Sequence, residues 1–154
     1  MALSVLGIDP GLKNTAYCLI DTDLNVLKSG LAEASFSLID LLLKMSPSLV
    51  VLERFVHFQS KPIDIEEINR FIGAIHYAFS KTTEVILVRS VDWQTELLKH
   101  YRRLPKVFGK GKKRSKFSAR RFAEEIFHKT FKTEHEADAF LMAVYGLKKH
   151  LSSD

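Results

Sequence analysis

The segment "HEADAFLMAVYGL", residues 135–147, constrains this chain more than any other. Between Ala137 and Leu147 the only charged residue is Asp138. A helix over this stretch is apolar almost all the way round, and a helix without a polar face has to be buried. Carrying an unpaired carboxylate into the interior is expensive unless the group is protonated, hydrogen-bonded or bound to a cation. The fold must therefore cover this helix and also compensate Asp138.

At 154 residues the chain suits one compact domain, 1–154, with a single core. No apolar run approaches the ~18 residues of a membrane span, so no membrane partner is expected. The first residues, "MALSVLGIDPG", lack a basic n-region and break at Asp9 and Pro10, which argues against a secretory leader. The single cysteine, Cys18, cannot form an internal disulfide and suits a reducing compartment, so a cytoplasmic location is expected.

Charge is distributed unevenly. The stretch Arg102 to Arg121, "RRLPKVFGKGKKRSKFSARR", holds ten of the chain's 23 basic residues and no acidic one, so the other 13 face 18 acids. A local positive field of this kind suits a polyanion docking at one face. In that reading Lys106, Lys110, Lys112, Lys113, Arg114 and Lys116 neutralise phosphates, and Arg120 and Arg121 extend the patch along a helix.

Residues 2–9, 14–21 and 24–32 are short apolar or alternating runs separated by turn-forming residues, which reads as a three-strand meander. Residues 35–45 form a short helix with Ser35 or Ser37 as N-cap, stopped by Pro47. "SLVVLE" (48–53) has the continuous apolar character of a strand buried on both faces, and it ends at Glu53. Residues 64–80 form a helix with Asp64 as N-cap. Its wide apolar stripe suits either a deep core position or a second helix or subunit. "EVILV" (84–88) reads as another buried strand, 90–100 as a helix, the basic segment as a loop containing Gly109 and Gly111, and about 116–129 and 134–150 as the last two helices. The order βββαβαβαα implies an α/β fold: a mixed five-stranded sheet, an antiparallel meander plus parallel strands, flanked by helices.

Three places carry candidate chemistry. Asp9 ends the first strand before a Pro-Gly turn, and Glu53 ends the fourth. His135 and Asp138, three apart, share a helix face. Glu134 and Glu136 sit in a helical first turn, where acids suit the dipole, and Thr133 with Glu136 matches a T-x-x-E capping box. Asp138 has no such structural role. Carboxylates from Asp9, Glu53 and Asp138 brought together would repel one another, and the simplest compensation is Mg²⁺ or Mn²⁺, hard ions that prefer oxygen ligands. Such a site suits phosphoryl chemistry with two ions, one activating water and one stabilising the leaving oxygen.

"GIDPG" on the first strand, a glutamate closing the fourth, and "HEADAFLMAVYG" near the C-terminus together resemble the RuvC family of Holliday junction resolvases, within the RNase H-like superfamily. The resemblance runs through nearly the whole chain in the same element order, and the compact size looks most like phage-encoded members, in a bacterial cytosol. It implies a homodimer that binds four-way DNA and makes paired symmetric nicks, leaving 5′-phosphate and 3′-hydroxyl ends. It implies Asp9, Glu53 and Asp138 as metal-binding catalytic acids. His135 stands where the family's terminal D-x-x-D motif has its first acid, and some RuvC proteins resemble this one in using histidine there. Neutral imidazole would ligate metal or position water, whereas imidazolium would oppose the cation and favour an anionic transition state. Glu136 is the reserve carboxylate, ranked below Asp138 because capping explains it. The family also places an aromatic residue shortly after the strand-four glutamate to stack at the junction centre. In "ERFVHFQS" that residue is Phe58 or Phe55, either of which equally suits a core position. The alternatives are a less selective fork or flap nuclease, a catalytically inactive junction-binding module, and an ATP-binding domain of actin or sugar-kinase type. The basic loop and short length argue against the last.

Overall fold

A computed structural model of the chain describes residues 2–54, 62–101 and 118–152. Its elements are β1 (Ser4–Asp9), β2 (Thr15–Asp21), β3 (Val26–Ala32), α1 (Phe36–Lys44), β4 (Leu49–Glu53), α2 (Pro62–Ser80), β5 (Glu84–Val88), α3 (Ser90–His100), α4 (Ala119–Phe127) and α5 (Glu134–Ser152). The strands form one mixed sheet in the order β3-β2-β1-β4-β5. β2 runs antiparallel to β1 and β3, while β4 is parallel to β1 and β5. The expected α/β architecture is therefore the observed one.

Strand side chains alternate between faces, and this sorts the interior into two layers. Leu6, Ile8, Tyr17, Leu19, Val50 and Leu52 pack beneath α1 and α2. Val5, Ala16, Cys18, Ile20, Leu49 and Val51 pack beneath α3, α4 and α5. α5 is the central helix of the second layer, and Ala139 to Ala143 are fully buried, as the apolar sequence requires. It lies so close to the sheet that a Cβ at Gly7 would strike the carbonyl oxygen of Ala139, and one at Gly146 would strike Val51. Glycine is required at both positions by this approach.

Two expectations need correction. α2 starts at Pro62, so Asp64 lies in its first turn and is not the N-cap. Proline suits a helical first turn because the amide it lacks has no intrahelical partner there. β5 is not buried on both faces. As an edge strand it leaves Glu84 and Leu87 exposed, and only Val88 is fully buried. The stripe of α2 packs as a core helix, burying Ile68, Phe71, Ile72, Ile75 and Phe79. Ser35 is the N-cap of α1, its hydroxyl accepting from Leu38 N–H at 3.1 Å. Among the described residues no helix is long and apolar enough to cross a membrane.

Candidate active site

β1 and β4 are neighbours at the centre of the sheet and run in the same direction, with Ile8 opposite Leu52. Asp9 and Glu53 follow that pair, so both carboxylates leave the same end of the sheet. Parity puts both on the face that carries α3–α5, since Leu52 and Ile8 point the other way. The Asp9 side chain is only 10% exposed. The turn after it is fixed from within: the buried Thr15 hydroxyl donates to Gly11 O at 2.6 Å and accepts from Gly11 N–H at 3.1 Å.

α5 brings the remaining groups. Thr133 Oγ1 accepts from Glu136 N–H at 3.2 Å and donates to Glu136 Oε1 at 3.1 Å, so the Thr133 half of the T-x-x-E cap forms while the Glu136 carboxylate meets the hydroxyl of Thr133. Glu136 lines a cleft with Asn25, Lys129 and Lys132, and it is not among the residues that gather as a possible metal group. The first turn then directs His135 and Asp138 at the sheet. His135 Nδ1 lies 3.0 Å from Asp9 Oδ2. One ligand atom from each of Asp9, His135 and Asp138 falls within 4.8 Å of the others, a group able to hold a metal ion.

Glu53 is held by a residue that the sequence did not single out. The indole Nε1–H of Trp93, in the first turns of α3, donates to Glu53 Oε1 at 3.3 Å. A tryptophan in an amphipathic helix looks like any core residue, and nothing in the sequence marks its partner. Glu134, which its sequence position marks only as a dipole-compensating acid, has a second role. Its carboxylate accepts from the backbone N–H of Ala119 and, at 3.4 Å, from the Ser118 hydroxyl, which ties the start of α4 to the start of α5. Gly7 completes the set, because its lack of a side chain lets α5 descend onto β1.

The electrostatics show how much the cluster lacks. Burial pushes the Glu53 carboxyl up to about 9, aided by the charge of Asp9, a hydrogen bond to the Asp9 carboxyl and the charge of Asp138, with the Trp93 indole opposing. Burial likewise pushes Asp138 up to about 8, with Asp9 and Glu134 adding to it and His135 offsetting part. His135 is raised chiefly by its hydrogen bond to Asp9. Buried acids facing one another hold protons when nothing else neutralises them. A divalent cation supplies the missing charge, and three carboxylates with an imidazole are a donor set for a hard or borderline ion. The residues present therefore fit such a group.

Of the expected phosphate-binding residues, the described part of the chain includes Arg120 and Arg121, both on the exposed side of α4. Arg120 Nε also donates to Phe131 O at 3.1 Å, bracing the turn into α5. Lys106, Lys110, Lys112, Lys113, Arg114 and Lys116 lie outside the described residues, as do Phe55 and Phe58.

This five-stranded sheet, with acids at the ends of β1 and β4 and a covering acid-bearing helix, has the RNase H-like fold. Among solved structures, RuvC from Thermus thermophilus in complex with a Holliday junction substrate matches with a TM-score of 0.70 at 14% identity, covering 98% of this chain and 97% of that one. The fowlpox virus Holliday junction resolvase matches with a TM-score of 0.52 at 16% identity, covering 96% and 99%. No family model and no curated protein matches the sequence.

Proposed function

We propose that this chain is a metal-dependent, structure-selective endodeoxyribonuclease that resolves Holliday junctions. The observation that carries the reading is the convergence of Asp9, His135 and Asp138 where β1 and α5 meet, with Glu53 at the end of neighbouring β4 close enough to feel the charges of Asp9 and Asp138. They do so in a fold shared over nearly its full length with a RuvC solved on a Holliday junction. Asp9, Glu53 and Asp138 would hold Mg²⁺, with Mn²⁺ able to substitute and two ions per site. Bound there, the metal would activate the attacking water and offset charge on the leaving oxygen.

The chain's own groups prepare that chemistry. Asp9 is fixed by the latched Pro-Gly turn, and Glu53 by the indole of Trp93. Both Glu53 and Asp138 must release protons for the carboxylates to ligate, so loading is favoured as pH rises. His135 keeps Nδ1 on Asp9, which orients the ring and leaves Nε2 as its remaining polar atom. Through that atom it can position water or, when protonated, face an anionic phosphate.

In this reading residues 1–154 form one nuclease domain working in a reducing cytosol. Two copies pair so that each supplies one nick, leaving 5′-phosphate and 3′-hydroxyl ends. The basic segment grips phosphates, which positions the junction without reading its bases, and Phe58 or Phe55 stacks at the open centre.

The test is incubation of the purified protein with a mobile four-way junction and Mg²⁺, beside a linear duplex and a replication fork, with strand-resolved mapping of the cuts. Paired nicks in opposing strands of the junction, with the duplex spared, are the expected result. Equal cutting of fork and junction would make it a general branch nuclease. Junction binding without cleavage in either Mg²⁺ or Mn²⁺ would make it a branch-binding module.

A further inference from the structure

Trp93 is the only tryptophan in the chain and is completely buried. It sits on α3, directly after the edge strand β5, and so approaches the end of β4 from the side away from β1. An indole N–H can only donate, and here its described acceptor is Glu53 Oε1, 40 residues away in sequence at 3.3 Å. The start of α3 is itself held. Arg89 Nε and Nη2 donate to the Asp92 carboxylate at 3.1 and 2.9 Å, and Arg89 N–H donates to Asp92 Oδ2 at 3.2 Å. Trp93 follows Asp92 immediately, so the Arg89–Asp92 lock fixes the turn from which the indole reaches inward.

A glutamate at a strand end has three side-chain torsions. Ordering them during ligation would oppose metal binding entropically. The indole grips one carboxylate oxygen before any ligand arrives and so removes much of that freedom. Donors that hold a ligating carboxylate are a general means of setting metal affinity.

We propose that Trp93 is a positioning residue for the metal site, its N–H fixing Glu53 in the orientation that binds a divalent cation together with Asp9. This rests on the reading of the cluster as a metal centre. Because the indole touches a ligand directly, its fluorescence also reports occupation of the site.

The experiment measures Mn²⁺ binding to the DNA-free protein by calorimetry, checked in the wild type alone by quenching of Trp93 emission, and the Mg²⁺ dependence of junction cleavage. These are done for wild type, for Trp93→Phe, and for protein in which Trp93 is replaced by benzothienylalanine. That last residue keeps the shape of tryptophan, with sulfur in place of N–H, so it separates the hydrogen bond from packing should the phenylalanine variant fail to fold. The expected result is a loss of Mn²⁺ affinity of about 10-fold or more in both variants. The Mg²⁺ needed for half-maximal cleavage should rise in parallel, with junction affinity unchanged and the rate recovering at high metal. Wild-type Mn²⁺ affinity in the benzothienylalanine protein would overturn the proposal while leaving the metal centre standing. A wild-type protein that binds no Mn²⁺ would overturn both.

Discussion

His135 Nδ1 and Asp9 Oδ2 stand 3.0 Å apart, although 126 positions separate the two residues in sequence. The imidazole is 57% exposed and the carboxylate 10%, so the contact joins a buried strand end to the open mouth of the cluster. It also gives His135 a partner that favours its protonated form in the metal-free protein. A proton and a metal ion therefore compete for the same pair.

That competition sets a pH dependence with a definite sign. Glu53 and Asp138 are raised in the folded state to about 9 and about 8, from ordinary values near 4.5 and 3.8. Between those limits the folded chain holds more protons than the unfolded chain, so stability falls as pH rises. The contribution of His135 has the same sign: fully present below its unfolded value of 6.5, it is lost as pH climbs through the raised folded one. Thermal melts in EDTA should show Tm falling from pH 5 to pH 9, with a shallower fall in Asp138→Asn. Added Mn²⁺ should raise Tm more at pH 8 than at pH 5, since fewer protons then have to leave. An Asp138→Asn variant with the wild-type slope would contradict the assignment.

Asp9→Asn preserves shape and a hydrogen-bonding oxygen for His135 but removes the charge at the centre of the cluster. Junction cleavage should fall below detection. Junction affinity measured in EDTA should stay within about 3-fold, because in the proposed function phosphate contacts from the basic segment carry most of the binding. Equal loss of binding and cleavage would mean that Asp9 holds the fold and not the metal.

Much of this architecture is written in local sequence patterns. The meander, the buried run of β4 and the all-apolar α5 follow from alternation and from helical period. The Thr133–Glu136 cap is read from four residues and separates Glu136 from Asp138 before any fold is known. Asp9, His135 and Asp138 come together as the element order suggests. What the sequence does not carry is proximity between distant segments. Trp93 reaches Glu53, and Glu134 reaches the amide of Ala119, only because α3 and α4 pack on one face of the sheet. β5 has the composition of a central strand, yet its place at the sheet edge is a matter of topology, which a run of five apolar and charged residues does not encode.

The basic segment implies a steep salt dependence. Neutralising about six phosphates gives a slope of log K against log salt of roughly −5. Arg120 joins two roles within that total. Arg120→Ala should reduce the slope by about 1 and also lower Tm, since it removes the donor to Phe131 O that braces the turn into α5. Binding isotherms over a salt series give the slope and thermal melts the stability; an unchanged Tm would remove the structural role of Arg120.

Three glycines test the packing of α5 by contrast. At Gly73, on the exposed side of α2, an added methyl meets nothing within 4 Å, so Gly73→Ala should stabilise the protein by about 0.5–1 kcal/mol through reduced chain entropy and better helix propensity. At Gly30 the methyl meets the ring and hydroxyl of Tyr17, a side chain that can move, so the cost should be smaller than where backbone is struck. At Gly7 it meets the Ala139 carbonyl and the Ala143 amide, which can yield only if α5 lifts from β1. Gly7→Ala should therefore cost about 3 kcal/mol in urea melts, near the upper end of what overpacking usually costs. Lifting α5 would also carry His135 and Asp138 away from Asp9, so Mn²⁺ affinity should fall in Gly7→Ala and stay at the wild-type value in Gly73→Ala. If Gly7→Ala lost stability but kept full Mn²⁺ affinity, the metal site would not depend on how closely α5 approaches the sheet.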